Sequence, residues 1–302
     1  MVVDPVIRLS GITKRYGRVV ALDGLDLDVR RGEVFGLLGA NGAGKTTAVK
    51  IVLGLTHPSG GQGRLLGRSL GDPGARRSVG YLPELFRYPP WLTGREVLRL
   101  HCRLAAIGPD RWREEIDAAL ATADLAPRAD SRVGTYSKGM QQRLGLAVAL
   151  LGRPALVILD EPGTALDPLG RHELRGIIRG LREQGTTVVL NSHQLSELEQ
   201  VCDRVAIIHR GRVLASGALA DLLRPGGIRL RLTEVGAAAR TTLAAAGELV
   251  ADGAWLVVRG ADAADVPDLV AALVGEGVRV HAVELLQPSL EDRFRQLLGS
   301  PD

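Results

Sequence analysis

From residue 6 to residue 31 apolar and polar positions alternate, most regularly in Leu25-Asp26-Leu27-Asp28-Val29, the period-two pattern of strands with one wet and one dry face. This predicts an antiparallel β entry into the molecule. The polar positions then vanish in Val34-Phe35-Gly36-Leu37-Leu38, and again in Ala155-Leu156-Val157-Ile158-Leu159 and Thr186-Thr187-Val188-Val189-Leu190. Short apolar runs of this kind are strands buried on both faces, which places a parallel sheet inside an α/β core. An arginine-rich helix is predicted over about Leu169 to Glu183, between the last two runs. From Trp91 to about Leu125 the spacing of Val97, Leu98, Leu100, Leu104, Ile116, Ala119 and Leu120 is helical, with a break at Gly108-Pro109, so a mostly helical subdomain is inserted there. The turn-rich Leu223-Arg224-Pro225-Gly226-Gly227 marks a boundary. Beyond it the pattern runs β-α-β-β-α-β with a closing helix from Ser289, the order of a small ferredoxin-like α+β domain.

Composition narrows the class without naming a function. With 302 residues, 45% of them hydrophobic and 24% charged, the chain has room for one large domain and a small one. No run of about 18 apolar residues occurs, and the first residues lack a charged segment followed by an apolar one, so the expectation is a soluble, cytoplasmic protein. Cys102 and Cys202 are too few for a disulfide framework and lack metal-ligand spacing; both read as packing residues. The net charge of +4 comes from arginines spread along the chain, a solvated surface more than a polyanion site, and no nucleic acid is expected as a partner. Only four of the 38 basic residues are lysines (Lys14, Lys45, Lys50, Lys138). A lysine kept at position 45 in such a chain suggests that a planar guanidinium would not serve there.

That lysine belongs to the most informative stretch. Gly39-Ala40-Asn41-Gly42-Ala43-Gly44-Lys45-Thr46-Thr47 fits G-x-x-x-x-G-K-[ST] and follows an apolar strand run directly. Its glycines free the backbone to turn N–H groups onto a phosphate, and the helix that starts at Lys45 adds its positive end. Lys45 would reach the β- and γ-phosphates and Thr46 would ligate Mg²⁺. Downstream, Leu156-Val157-Ile158-Leu159 ends in Asp160-Glu161, two carboxylates at the mouth of a parallel sheet. Neighbouring strand residues point opposite ways, so Asp160 can hold Mg²⁺ while Glu161 orients and polarises a water.

With Tyr136-Ser137-Lys138-Gly139-Met140-Gln141-Gln142-Arg143 lying between these two motifs, the chain resembles the nucleotide-binding subunit of ABC transporters across about residues 5 to 222. The segment is similar to the family signature L-S-G-G-Q-x-Q-R: Ser137 and Gly139 match, while Tyr136, Lys138 and Met140 depart. The resemblance implies a P-loop NTPase fold of the ABC-cassette type, with a mixed sheet core, an antiparallel β subdomain and a helical subdomain. The cassette would span residues 1–222, with the helical part at about 85–152, and residues 228–302 would form the accessory α+β domain. It also implies roles by position. Tyr16 would stack on adenine, Ser137 and Gly139 would cap the γ-phosphate held by the opposite subunit, and Asp167 in Ala165-Leu166-Asp167 would meet that subunit. His193 would contact the γ-phosphate as the switch histidine. Glu84, in Gly80-Tyr81-Leu82-Pro83-Glu84, stands where the family usually has glutamine and could ligate Mg²⁺ or hold the water. The remaining histidines (His57, His101, His172, His209, His281) form no ligand cluster along the chain.

The implied activity is ATP hydrolysis by a dimer of cassettes, a homodimer or a pair with a homologous cassette, closing over two MgATP to drive separately encoded integral membrane permease subunits from the cytoplasmic face. The aromatic and proline-rich Phe86-Arg87-Tyr88-Pro89-Pro90-Trp91 would face the membrane subunit, with Tyr88 and Trp91 forming a socket; a tight turn packed on the helical subdomain would look the same in sequence. The ending Leu285-Leu286-Gln287-Pro288-Ser289-Leu290-Glu291-Asp292-Arg293-Phe294 resembles the close of ATPases that drive drug, lipid or polysaccharide exporters. A soluble ABC-type ATPase acting on ribosomes or nucleic acid carries the same cassette motifs and stays open as the alternative. It is weakened by the single glycine loop and the absence of long heptad segments.

Overall fold

The computed structural model describes residues 4–223, 226–286 and 289–299. The chain forms two compact units that divide after Leu219. The Arg224-Pro225 part of the expected boundary turn and the Gln287-Pro288 part of the closing motif lie outside the described residues.

In the first unit the alternating N-terminal segment forms the hairpin Ile7–Tyr16 and Val19–Val29, which pairs further with Gly60–Leu65 and Arg68–Ser69 in a four-stranded antiparallel sheet. Leu22, Leu25, Leu27 and Val29 point inward while the intervening aspartates face water. A second sheet takes the strands in the order Arg212–Ala218, Arg204–His209, Val34–Leu38, Thr187–Asn191, Leu156–Asp160, Val79–Leu82. All neighbours are parallel except the first pair, which is antiparallel. Every residue of the three central strands is buried, which is why their sequences carry no alternation.

The helical subdomain consists of Gly94–Leu104, Trp112–Thr122 and Lys138–Leu150, packed around Leu98, Cys102, Leu120 and Leu144. Its first helix starts at a capping box: Glu96 N–H donates to Thr93 Oγ1 (3.2 Å) and Thr93 N–H to Glu96 Oε2 (2.8 Å). The last helix lies directly on the edge strand Val79–Leu82, and glycine permits the approach. A Cβ on Gly80 would stand 1.8 Å from Ala149 O, and one on Gly145 would stand 2.6 Å from Leu82 Cδ1. Cys102 and Cys202 are both buried.

The second unit runs Gly227–Thr233, Ala237–Ala246, Glu248–Asp252, Trp255–Arg259, Val266–Gly275, Arg279–Leu285 and Leu290–Gly299, that is β-α-β-β-α-β and a closing helix. Its antiparallel sheet has the strand order Glu248–Asp252, Trp255–Arg259, Gly227–Thr233, Arg279–Leu285. Ile228, Leu230, Val258, Leu243 and Leu273 make its own core. Among the described residues, no helix of either unit is long and apolar enough to cross a membrane.

Gly80→Ala should force the edge strand and the helix Lys138–Leu150 apart and lower stability by about 1–3 kcal/mol, the usual cost of overpacking. Urea denaturation checks this; an unshifted midpoint would show that the contact yields freely.

Candidate functional site

The site is built where the parallel strands end. In-register pairing sets Asp160 opposite Asn191, Leu37 opposite Asn191 and Leu82 opposite Leu159, so the residues leaving these strands all emerge along one sheet edge. There a cavity of about 410 Å³ is lined by Asn41–Thr47, Glu84, Asp160, Glu161, Asn191 and His193, with Val19–Ala21 of the hairpin on its far side.

The glycine loop between Leu38 and Lys45 needs its glycines for two reasons. Gly42 and Gly44 have φ of 80° and 110°, the left-handed region that residues with a Cβ avoid. Gly39 has no room: a Cβ there would meet Ile208 O at 2.4 Å. Lys45 is buried and folds back on the loop, its Nζ donating to Gly39 O (2.6 Å) and Ala40 O (3.3 Å). Burial pushes the Lys45 ammonium below the usual lysine range, and Glu161, Asp160 and Glu84 pull it back up. Thr46 and Thr47, in the first turn of the helix Lys45–Val52, face the cavity half-buried.

Asp160, fully buried, accepts a hydrogen bond from Asn191 Nδ2. Its carboxyl is pushed up to about 6 by burial, with the charges of Glu84 and Glu161 adding to the effect; the Asn191 bond and Lys45 oppose it. The Oδ1 of Asn191 is buried without a hydrogen-bond partner among the described residues. Glu161, one residue on, turns the chain at φ 52° and bonds its N–H to Asn191 O (2.8 Å). That turn aims its carboxylate at His193: Oε1 accepts both the His193 N–H (3.0 Å) and the Nδ1 of its ring (2.7 Å). Glu161 is buried and His193 half-exposed, and both line the cavity. A glycine loop, a lysine, a helix start and a carboxylate–imidazole pair together suit a polyphosphate ester and a water.

Several candidate residues lie elsewhere. Tyr16 is half-exposed at the hairpin end, paired across the strands with Val19 and with Lys14 Nζ 4.8 Å from its ring centre. It neighbours the cavity rim but does not line the cavity. Ser137, Gly139 and Asp167 line a separate hollow of about 500 Å³. Ser137 caps the helix Lys138–Leu150 through Met140 N–H (3.2 Å), and Asp167 caps Pro168–Glu183 through Gly170 N–H (2.8 Å). Tyr136 is buried, its hydroxyl donating to Arg128 O (2.7 Å), which accounts for the aromatic at that signature position. Gln142, buried in the same helix, donates to Pro162 O (3.1 Å) and so steadies the turn after Glu161. The aromatic segment divides: Tyr88 packs inward against Phe86 and His101, at 5.3 and 5.6 Å between ring centres, whereas Trp91 and Leu85 stand out in solvent. Asn191 was absent from the candidates of the sequence; a polar residue closing an apolar strand run beside Asp160 was the available signal.

Because the folded Asp160 carboxyl titrates near 6, above its ordinary value of 3.8, its ionisation costs stability above about pH 6 and that cost disappears as pH falls below 4. Asp160→Asn, which keeps an oxygen acceptor for Asn191, should therefore raise the melting temperature at pH 8 and lose this advantage by pH 4. A pH series of melting curves on the nucleotide-free protein checks the sign.

Comparison with known proteins agrees with this geometry. Residues 22–164 match the family described as ABC transporter. An ABC transporter ATP-binding protein of Synechocystis is 42% identical over 93% of this chain and 79% of its own length. The daunorubicin resistance ATP-binding protein DrrA3 of Streptomyces coeruleorubidus is 37% identical over 98% of this chain and 96% of its own. Among solved structures, a dimeric ATP-binding cassette in a post-hydrolysis state with ADP and Pi superposes with a TM-score of 0.64 at 26% identity, covering 70% of this chain and 98% of that one. The glycine loop, the carboxylates at the sheet edge and relatives matched along most of this chain all lead to one family: this chain belongs to the ATP-binding subunits of ABC transporters.

Proposed function

We propose that two copies of this chain close head to tail over two MgATP and that the cycle of closing and reopening drives export through separate membrane subunits. The observation that carries this reading is the division of the predicted site. Lys45, Thr46, Glu84, Asp160, Glu161 and His193 share one cavity, while Ser137, Gly139 and Asp167 line another on the same chain. One chain thus offers a phosphate cradle and a separate signature surface, and a second copy brings the two together.

The loop would hold the triphosphate in its backbone N–H groups, with Lys45 leaving the Gly39 and Ala40 carbonyls for the β- and γ-phosphates. Tyr16, exposed beside the cavity, would stack on the adenine. Thr46, Asp160 and Glu84 would hold Mg²⁺, which would supply positive charge against the phosphates. The residues fit the cation: Glu84 and Glu161 crowd Asp160 with negative charge, and Asn191 Oδ1 offers an unused acceptor to a metal-bound water. Glu161 would take the proton of a water whose oxygen attacks the γ-phosphorus as the bond to the β-phosphate oxygen breaks and ADP leaves. His193, bonded through Nδ1 to Glu161, would hold that carboxylate in place and leave Nε2 free for the γ-phosphate.

Export is supported by the drug-resistance relative, matched along 98% of this chain. The surface for the membrane subunit is read on Trp91 and Leu85, which are 69% and 87% exposed; Tyr88 belongs to the helical core instead.

Glu161→Gln should slow ATP turnover about 10²- to 10⁴-fold, the range for losing general-base help, with nucleotide affinity retained. Phosphate release and equilibrium binding measured side by side test this; near-normal release removes Glu161 from the role. Trp91→Ala should leave ATP binding intact and reduce co-purification with the membrane subunits, and full assembly would place the docking surface elsewhere.

A further inference from the structure

Behind the Glu161–His193 pair, Arg171 ties two loops together. It lies in the first turn of the helix that Asp167 caps, and its own N–H bonds to Asp167 O (2.9 Å). Its guanidinium reaches three partners. Nε donates to Leu166 O (3.2 Å), Nη1 donates to the Gln194 side-chain Oε1 (3.1 Å), and Nε forms an ion pair with Glu197 Oε1 at 3.4 Å. Leu166 adjoins Asp167, and Gln194 adjoins His193.

Glu197 completes the brace. Its Oε1 is buried and makes no hydrogen bond among the described residues; Arg171 is the ion-pair partner that faces it, with Arg175 adding positive charge. Both of its carboxylate oxygens lie 2.9 Å from where a Cβ on Gly163 would stand, which presses the carboxylate against the turn two residues beyond Glu161. That turn is tight: Thr164 N–H bonds to Glu161 O (3.3 Å) and Leu166 N–H to Gly163 O (3.1 Å). The stretch from Glu161 to Asp167 therefore rests on Arg171 and Glu197 from one side. Gln194, whose N–H is held by Ser192 Oγ (3.1 Å), rests on Arg171 from the other.

Resting on the hydrolytic reading above, we propose that Arg171 is a positioning residue that links the Asp167 segment to His193, so that engagement of Asp167 by a second copy is felt at the Glu161–His193 pair. The fork of the guanidinium suits this because Nε and Nη1 point at two different loops; an ammonium offers no such fixed pair of directions. Neither Arg171 nor Glu197 lines the phosphate cavity, so the effect falls on turnover and not on nucleotide binding.

The test compares steady-state ATPase kinetics of the full chain with Arg171→Lys, Gln194→Ala and Glu161→Gln variants, with ADP affinity and melting temperature measured on each. The expected result is that Arg171→Lys and Gln194→Ala both lower kcat by about 10- to 100-fold, the scale for displacing a catalytic group by a remote change, with KM for ATP and ADP affinity unchanged. Gln194→Ala removes only the bond to the second loop, so it reads the link even if Arg171→Lys folds poorly. Wild-type kcat in Gln194→Ala, or kcat and ADP affinity falling together in both variants, overturns the link. If Glu161→Gln also hydrolyses normally, the hydrolytic reading itself falls; if it does not, that reading stands without Arg171.

Discussion

The parallel pairing of five strands, the central ones buried on both faces, is the constraint on which the site depends. Buried parallel strands must run in register because every backbone donor has to find its ladder partner away from water. Register then fixes which residues emerge together: Gly39 after one strand, Asp160 at the end of the next but one, Asn191 between them, and Pro83-Glu84 beyond the edge strand. A slip of one residue between Leu156–Asp160 and Thr187–Asn191 would carry Asp160 away from Asn191 and Glu161 away from His193. Glycine extends the constraint outward. Gly80 lets the helix after Ser137 lie against the edge strand, and Gly39 lets the phosphate loop cross the end of Arg204–His209.

Within that frame the charges oppose one another. Glu84, Asp160 and Glu161 gather near one buried lysine, and burial disfavours charge on Asp160 and Lys45 alike. An environment with excess carboxylate and a lysine held on carbonyls favours a ligand that brings both phosphate and a divalent cation. The arginines do a different task. Arg143 bridges Asp124 and Glu173, Arg204 joins Asp28 to Glu33, and Arg171 joins Leu166, Gln194 and Glu197. Each uses the planar fork to fasten separate segments, a geometry the compact ammonium of Lys45 cannot supply and does not need.

The second unit has a four-stranded sheet and a hydrophobic core made of its own residues. Polar pairs such as Arg229 with Glu284 and Thr233 with His281 bridge neighbouring strands on its sheet.

Much of this is legible in the sequence, for local reasons. Continuous apolar runs marked the buried strands, alternation marked the hairpin, and the glycine spacing marked the phosphate loop, because strand burial and left-handed backbone each leave a trace in residue type at fixed spacing. Asp160 and Glu161 were readable from their place after a strand, as was the β-α-β-β-α-β order of the second unit. What depends on contacts between distant segments left no such trace. Asn191 pairs with Asp160 across 31 positions, Gln142 reaches Pro162, Tyr88 turns inward while Trp91 turns outward, and Arg171 finds Gln194 and Glu197. The sequence by itself determined the strands, the glycine cradle and the pair of acids, since these follow from local backbone and solvent preferences. Only the tertiary structure decided which polar side chains meet and that the signature surface lies apart from the cradle, because those outcomes depend on register, packing and the direction each side chain takes once the core has closed.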